Sequence, residues 1–364
     1  MKIAQVAPLM ESVPPRLYGG SERIVSYLTE ALVAEGHDVT LFASGDSITA
    51  AKLDACSPQA LRLCHGVLDP IPHYMMMLDK VRRRAHEFDI IHFHIDQFQY
   101  PLFRDLSHRA VTTLHGRQDL PDLYPLYMHF KEMPLISISN AQRAPVPDAS
   151  FVATVQHGLP VDLLPRSLHS QGGYLAFLGR ISPEKRADRA IRIARAVGLP
   201  LKIAAKVDKV DTEYFREKIE PMLASADVEF VGEINERQKA RFLGDARALL
   251  FPIDWPEPFG LVMIEAMACG TPVLAFKRGS VPEVIEDGVT GFIVEDEDEA
   301  VRKMGALLAL DRAAVRRRFE TRFTAERMAK DYVKVYKKLL AETDPLQRGR
   351  PMLVNGNLAV QELT

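Results

Sequence analysis

The stretch ALLFPIDWPEPFGLVMIEAMACGTPVLAF, residues 248–276, reads as a strand, a proline-stiffened loop, a helix and a second strand. The apolar run 248–253 is short enough for a buried strand, and 272–276 repeats that character. Between them a helix opens near Gly260 and closes at Gly270, with Pro272 just beyond, where a glycine stop and a proline belong. Two strands joined through a helix make a βαβ unit, the building block of parallel sheets. The free amides of the helix's first turn, at the positive end of its dipole, make an anion site. Glu257 stands ahead of this helix and Glu265 more than a turn inside it, so two carboxylates lie at different depths along one groove. A carboxylate accepts hydrogen bonds from vicinal hydroxyls, which suits it to a sugar or a ribose.

The same alternation continues in both directions. Runs at 173–179, 201–207, 228–234 and 290–294 bring the strands of this half to six, separated by helical patterns, and predict an α/β domain with a doubly wound sheet. Near the N-terminus, KIAQVAP (2–8) leads through a loop holding Gly19-Gly20 into a helix with Ile24, Leu28, Ala31 and Leu32 on one face. Gly36 stops that helix and HDVTLFA (37–43) resumes the strand. DIIHFHID (89–96), VTTLH (111–115) and LISIS (135–139) extend a second parallel sheet. Between Pro145 and Gly173 periodicity fades into Pro, Ser, His and Gly, the composition of a linker. We expect domains at 1–168 and 169–321, a last helix at about 322–341 that could pack back on the first domain, and a tail over 342–364. Two facing sheets of this type bind ligands at their strand ends, between the domains.

A chain of 364 residues with 47% hydrophobic and 26% charged residues has room for two cores and excludes disordered, collagen-like and coiled-coil classes. A net charge of −2 argues against counterion-release binding to nucleic acid. Cys56, Cys64 and Cys269 supply neither a disulfide framework nor a CxxC zinc pair, which fits a reducing cytoplasm. The first ten residues lack the long apolar core and cleavage site of a signal peptide, and no segment reaches the roughly 18 apolar residues of a membrane span.

A second segment, FLGRISPEKRADRAI (177–191), is a strand, a polar turn and a helix start that delivers Arg180 and Lys185 to one strand end, where two cations can neutralise a diphosphate. EPFGLVMIE (257–265), two glutamates with seven residues between them, resembles the signature of family 4 of the retaining glycosyltransferases, relatives of glycogen and sucrose synthases with the GT-B fold of two facing Rossmann-like domains. That resemblance implies Glu265 on the nucleotide ribose and Glu257 at the donor sugar. It puts the backbone of Phe259, Gly260 and Leu261 on the same ligand, and Arg180 and Lys185 on its phosphates. Gly19 and Gly20 match a glycine loop beneath the donor phosphates, and His115 matches a histidine that contacts the donor sugar. Ser139-Asn140 and His157-Gly158 resemble weaker positions along the cleft. Two departures stand out: Arg186 replaces a usual glycine, and Gly116 replaces the aspartate that often follows the histidine. The implied activity is metal-independent, retaining transfer of a hexose to an unidentified acceptor held by the N-terminal domain. The donor would be a nucleoside-diphosphate sugar, UDP-glucose first, acting as co-substrate with no cofactor.

Other readings of the residues compete. A solvated helix bearing two surface acids would account for Glu257 and Glu265. His92, His94 and Asp96 alternate on an expected strand and would share one face, as the ligands of a metallohydrolase do. A non-catalytic nucleotide-sugar-binding protein, a phosphorylase or an epimerase could use the same fold. Asp296-Glu297-Asp298 has the form of a metal-binding DxD but reads as the charged first turn of a helix. The basic runs KVRRRAHEF (80–88) and Arg316–Arg318 are candidates for weak peripheral contact with anionic lipid.

Overall fold

The computed structural model describes residues 1–16, 19–165 and 172–343. Its strands are β1 Lys2–Val6, β2 Asp38–Ser44, β3 Lys52–Ser57, β4 Ile90–Phe93, β5 Ala110–Thr113, β6 Leu135–Ser137 and β7 Phe151–Thr154 in the first half. The second half contains β8 Leu175–Ile181, β9 Leu201–Val207, β10 Val228–Gly232, β11 Ala248–Phe251, β12 Val273–Phe276 and β13 Gly291–Val294. They form a seven-stranded sheet of order β3-β2-β1-β4-β5-β6-β7 and a six-stranded sheet of order β10-β9-β8-β11-β12-β13. Every pairing within these sheets is parallel.

In each sheet the chain starts centrally, winds to one edge, then returns and winds to the other. Order therefore reverses between β1 and β4 in one sheet and between β8 and β11 in the other. A crevice opens at such a switch point beyond the strand C-termini, because the flanking connections leave in opposite directions. β1 leads to Gly19-Gly20, β4 and β5 to His94 and His115, and β11 to Glu257, while β8 carries Arg180 at its C-terminal end.

Several strands are shorter than their apolar runs. The run 248–253 yields β11 only to Phe251, because Pro252 has no N–H for the ladder. Two strands lie where none was expected. β3 is an edge strand with a largely exposed, polar sequence, and β7 lies inside the expected linker, with all four residues half-buried. The expected boundary near 168, and residues 344–364 of the expected tail, lie outside the described residues.

The final helix, Ala325–Thr343, lies on the N-terminal domain. Its Tyr332 and Tyr336 hydroxyls hydrogen-bond Thr113 and His92 at 3.0 and 2.7 Å. One buried apolar cluster runs from Ile3, Ile24 and Leu28 through Val155, Phe323 and Tyr332 to Phe259 and Met263, so the two sheets share core across the junction. Polar ties add to it. The Ser139 hydroxyl donates to the Pro258 carbonyl at 2.6 Å, and the Glu283 carboxylate accepts the amides of Asn140 and Ala141 at 2.8 and 2.7 Å.

Candidate active site in the interdomain cleft

Between the two switch points lies a cleft of about 580 Å³, within the range of small-molecule sites. Its wall includes Gly19, Gly20, His115, Arg180, Lys185, Glu257, Phe259, Gly260, Leu261 and Glu265. Residues from both halves of the chain thus meet in one cavity.

The loop before the helix Leu261–Ala268 is held from behind. Ser280 donates its amide to the Glu257 carbonyl and its hydroxyl to that of Phe259, both at 2.9 Å, while Ser139 holds the carbonyl of Pro258. Within a planar trans peptide the C=O and the next N–H point in opposite directions. Tying back the carbonyls of Pro258 and Phe259 therefore aims the amides of Phe259 and Gly260 the other way. Gly260 takes φ 80°, and a Cβ there would lie 2.7 Å from the Met263 methyl. Gly279 packs under the same loop, where a Cβ would fall 2.3 Å from the Glu257 carbonyl oxygen.

The charged side chains form two groups. At the mouth of β8, Arg180 bonds Glu184 at 2.6 Å, with Asp211 and Asp208 at 3.5 and 3.7 Å. Lys185 is ion-paired to Glu257, whose carboxylate also accepts from the Trp255 indole at 3.0 Å. Deeper in, the buried Glu265 accepts from Lys239 at 2.6 Å, and Lys239 reaches Glu236 at 3.2 Å. Glu236 pairs with Arg23 of the N-terminal domain. Glu257 and Glu265 are 8% and 5% exposed, which removes the reading of two solvated surface acids.

Sequence reasoning did not single out Arg23, Glu236, Lys239 or Trp255. A capping box of Asn235 and Gln238 marks the helix start, and Lys239 shares the face of Phe242 and Leu243. A lysine on an apolar face was the available signal. Arg186, standing where glycine is usual, adopts the left-handed conformation at φ 56° and ψ 51°. The turn is kept, and the guanidinium bonds Asp188 twice and Asp254 once, at 3.0–3.1 Å.

On the opposite wall, a Cβ added to Gly20 would stand 3.6 Å from the Leu261 side chain, so the glycine lets the two loops approach. His115 Nε2 lies 2.9 Å from His94 Nδ1. Its ring stacks on His157 at 5.4 Å, and His157 meets the Phe259 ring edge-on at 4.8 Å. Burial pushes the His115 imidazole down to about 4, and burial with neighbouring histidines puts His92, His94 and His157 well below the ordinary range. These rings are neutral at pH 7.

The expected His92, His94 and Asp96 face does not form. β4 ends at Phe93, and Asp96 sits beyond it with φ 56°. Both nitrogens of His92 bond protein hydroxyls, those of Tyr336 and Thr113, each at 2.7 Å. Among the described residues no group of three His, Cys, Asp or Glu is placed to hold a metal ion. Asp296 caps the helix Glu297–Leu308 by accepting the Glu299 amide at 2.8 Å, and Glu297 pairs with Arg192. The basic runs are charge-matched: Arg82, Arg83 and Arg84 pair with Asp105, Asp79 and Glu87. Arg316 is buried on the carbonyls of Val161, Leu164 and Ala268, so it presents no cation to a membrane. No helix among the described residues is long and apolar enough to cross a bilayer.

Comparison with known proteins bears on the family and the fold. Residues 166–323 match the family described as glycosyl transferases group 1, and 18–153 match glycosyltransferase family 4. The D-inositol 3-phosphate glycosyltransferase of Streptomyces scabiei is 32% identical over 174 residues, 44% of this chain and 36% of that protein. The α-maltose-1-phosphate synthase of Mycolicibacterium smegmatis is 28% identical over 186 residues, 46% of this chain and 48% of that protein. The chain thus matches under half the length of these curated relatives. A solved glycosyltransferase involved in avilamycin A biosynthesis superposes with a TM-score of 0.72 at 23% identity, covering 93% of this chain and 98% of the other. Anabaena HepE, solved with UDP-glucose, gives 0.69 at 19% identity, with 93% and 100% covered. The fold is GT-B.

Proposed function

The chain belongs to the group 1 glycosyltransferases, and from that premise we propose that it transfers a hexose from a nucleoside-diphosphate sugar to a hydroxyl acceptor held by the N-terminal domain. Glucose and UDP are the preferred sugar and nucleotide, a choice supported by the UDP-glucose bound to HepE. The carrying observation is the convergence of Arg180, Lys185, the Gly260 loop, Glu257, Glu265 and His115 on one cleft. In the proposed pose the diphosphate lies at the tip of the helix Leu261–Ala268. The ribose hydroxyls lie on Glu265, and the sugar lies between Glu257 and His115.

The bond from the anomeric carbon to the phosphate oxygen breaks with its electron pair passing to the phosphate. The acceptor oxygen bonds to the same face of that carbon, and its proton passes to the departing phosphate oxygen. The products are a glycoside with retained configuration and a nucleoside diphosphate. Charge grows on the leaving oxygens, where fixed cations and amides stabilise it most strongly, which supports a reaction without a divalent ion. We assign the reaction to the cytoplasm, which the three free cysteines support.

Thermal shift against UDP-, GDP- and ADP-sugars, followed by turnover of the stabilising donor with and without chelator, tests this reading. Stabilisation by UDP-glucose and chelator-resistant transfer are expected. Binding without turnover over a broad acceptor panel would favour the non-catalytic alternative, and loss of turnover on chelation would contradict the metal-free route.

A further inference from the structure

Behind the cleft runs a chain of buried hydrogen bonds that the reaction as proposed does not use. Gln5, on the central strand β1, is fully buried, and its amide has three partners, the first of them His92 Nδ1, 3.5 Å from the amide nitrogen. Its nitrogen donates to the Tyr336 hydroxyl of the final helix at 3.3 Å, and its oxygen lies 2.8 Å from His94 Nε2. With the Gln5 amide in this orientation its oxygen can only accept, so His94 carries its proton on Nε2. A neutral imidazole with Nε2 protonated has a bare Nδ1, and that atom lies 2.9 Å from His115 Nε2. His115 must then donate from Nε2, which leaves its Nδ1 as a lone pair. That atom is buried and has no partner among the described residues, in a ring that lines the cleft. The polarity extends backwards without conflict. Tyr336 accepts from Gln5 and donates to His92 Nδ1, and His92 Nε2–H donates to Thr113.

We propose that Gln5 and His94 are positioning residues that fix the tautomer of His115, so that it meets the sugar nucleotide as a hydrogen-bond acceptor and selects a donor sugar carrying a hydroxyl at that point. This rests on the donor pose given above. Neither Gln5 nor His94 lines the cleft; they act through the ring of His115. A buried acceptor left unpaired is costly, so a sugar whose group at this position cannot donate a hydrogen bond is rejected. The opposite tautomer would offer an N–H, and it would tolerate fluorine or a carbonyl there.

Two-bond proton–nitrogen correlation on the wild-type protein labelled with ¹⁵N-histidine reads the tautomers directly, with signals assigned by their loss in His94→Asn and His115→Asn. His94 and His115 are both expected as Nε2–H forms; an Nδ1–H His115 overturns the proposal. UDP affinity measured on the same sample separates that outcome from failure of the proposed function, since UDP binding with the wrong tautomer sinks only the relay. A second arm compares UDP-glucose with its monofluoro analogues at C3, C4 and C6. Wild type should lose about tenfold or more in affinity at one position, the scale of one hydrogen bond to a buried partner. Gln5→Met, which removes the amide while keeping length, should bring the two ligands to within about threefold at that position, the discrimination of a single hydrogen bond having been lost. Equal weakening of both ligands, with the wild-type ratio preserved, would show a purely structural role and overturn the relay.

Discussion

At the scale of single residues, charge and burial divide the roles in the cleft. Glu265 is a buried carboxylate held by Lys239 at 2.6 Å. Glu265→Ala should weaken UDP affinity roughly 10–100-fold, the scale of hydrogen bonds to a charged group, in a calorimetric titration. In the proposed pose Arg180 and Lys185 face charge that develops late, so Arg180→Ala and Lys185→Ala should lower kcat by about 10²–10³ and donor affinity far less. Unchanged kinetics in all three variants would refute these assignments. The histidines make a separate prediction. Burial lowers the folded pKa of His115 to about 4 and those of His92, His94 and His157 below the ordinary value. Below pH 6.5 the unfolded chain binds protons that the folded chain refuses. Stability is therefore intact above that pH and falls as pH drops toward 4, by up to about 1.4 kcal/mol per pH unit for each ring. Denaturant midpoints between pH 8 and 4.5 check this; a flat profile contradicts neutral burial of the four rings.

At the scale of elements, the loop and helix from Trp255 to Gly270 were legible because each signal is local: prolines that stiffen, a glycine that starts the helix and a glycine that ends it. Gly260 has φ 80° and a Met263 methyl where its Cβ would go. Gly260→Ala should destabilise the fold by about 1–3 kcal/mol and tilt the amides, reducing donor affinity in parallel. A variant with unaltered melting and binding would show that the amide orientation does not matter. The Glu257 and Glu265 pair and the Arg180 and Lys185 turn were legible for the same local reason. Strands β3 and β7 were not, because an edge strand needs no clean alternation and β7 is only half-buried. Lys239, Glu236 and Arg23 were hidden more deeply. They matter through a chain of charges that joins two helices more than 200 residues apart in sequence, and no spacing encodes it. His92, His94 and Asp96 misled because alternation presumes a strand that continues, whereas β4 stops after His92 and Phe93.

At the scale of the whole molecule, the cleft exists because the final helix returns to the first domain and because polar ties set the distance between the sheets. Glu283 accepts two amides at the start of the short helix Asn140–Arg143, from the other domain. Glu283→Ala should leave each domain folded but loosen their apposition. Expected are a larger radius of gyration by small-angle scattering and a kcat lowered roughly tenfold, since a near-attack geometry is lost by small misplacements. An unchanged radius with unchanged turnover would remove Glu283 from domain positioning.

All of these expectations meet in the place where the sugar nucleotide lies. A crystal of the wild-type protein grown with UDP-glucose decides it. The account predicts the diphosphate at the N-terminal tip of the helix Leu261–Ala268 within reach of Arg180 and Lys185, the ribose on Glu265 and the glucose beside His115. Clear density for the ligand anywhere outside this cleft, or a cleft left without ligand at saturating concentration, would contradict it.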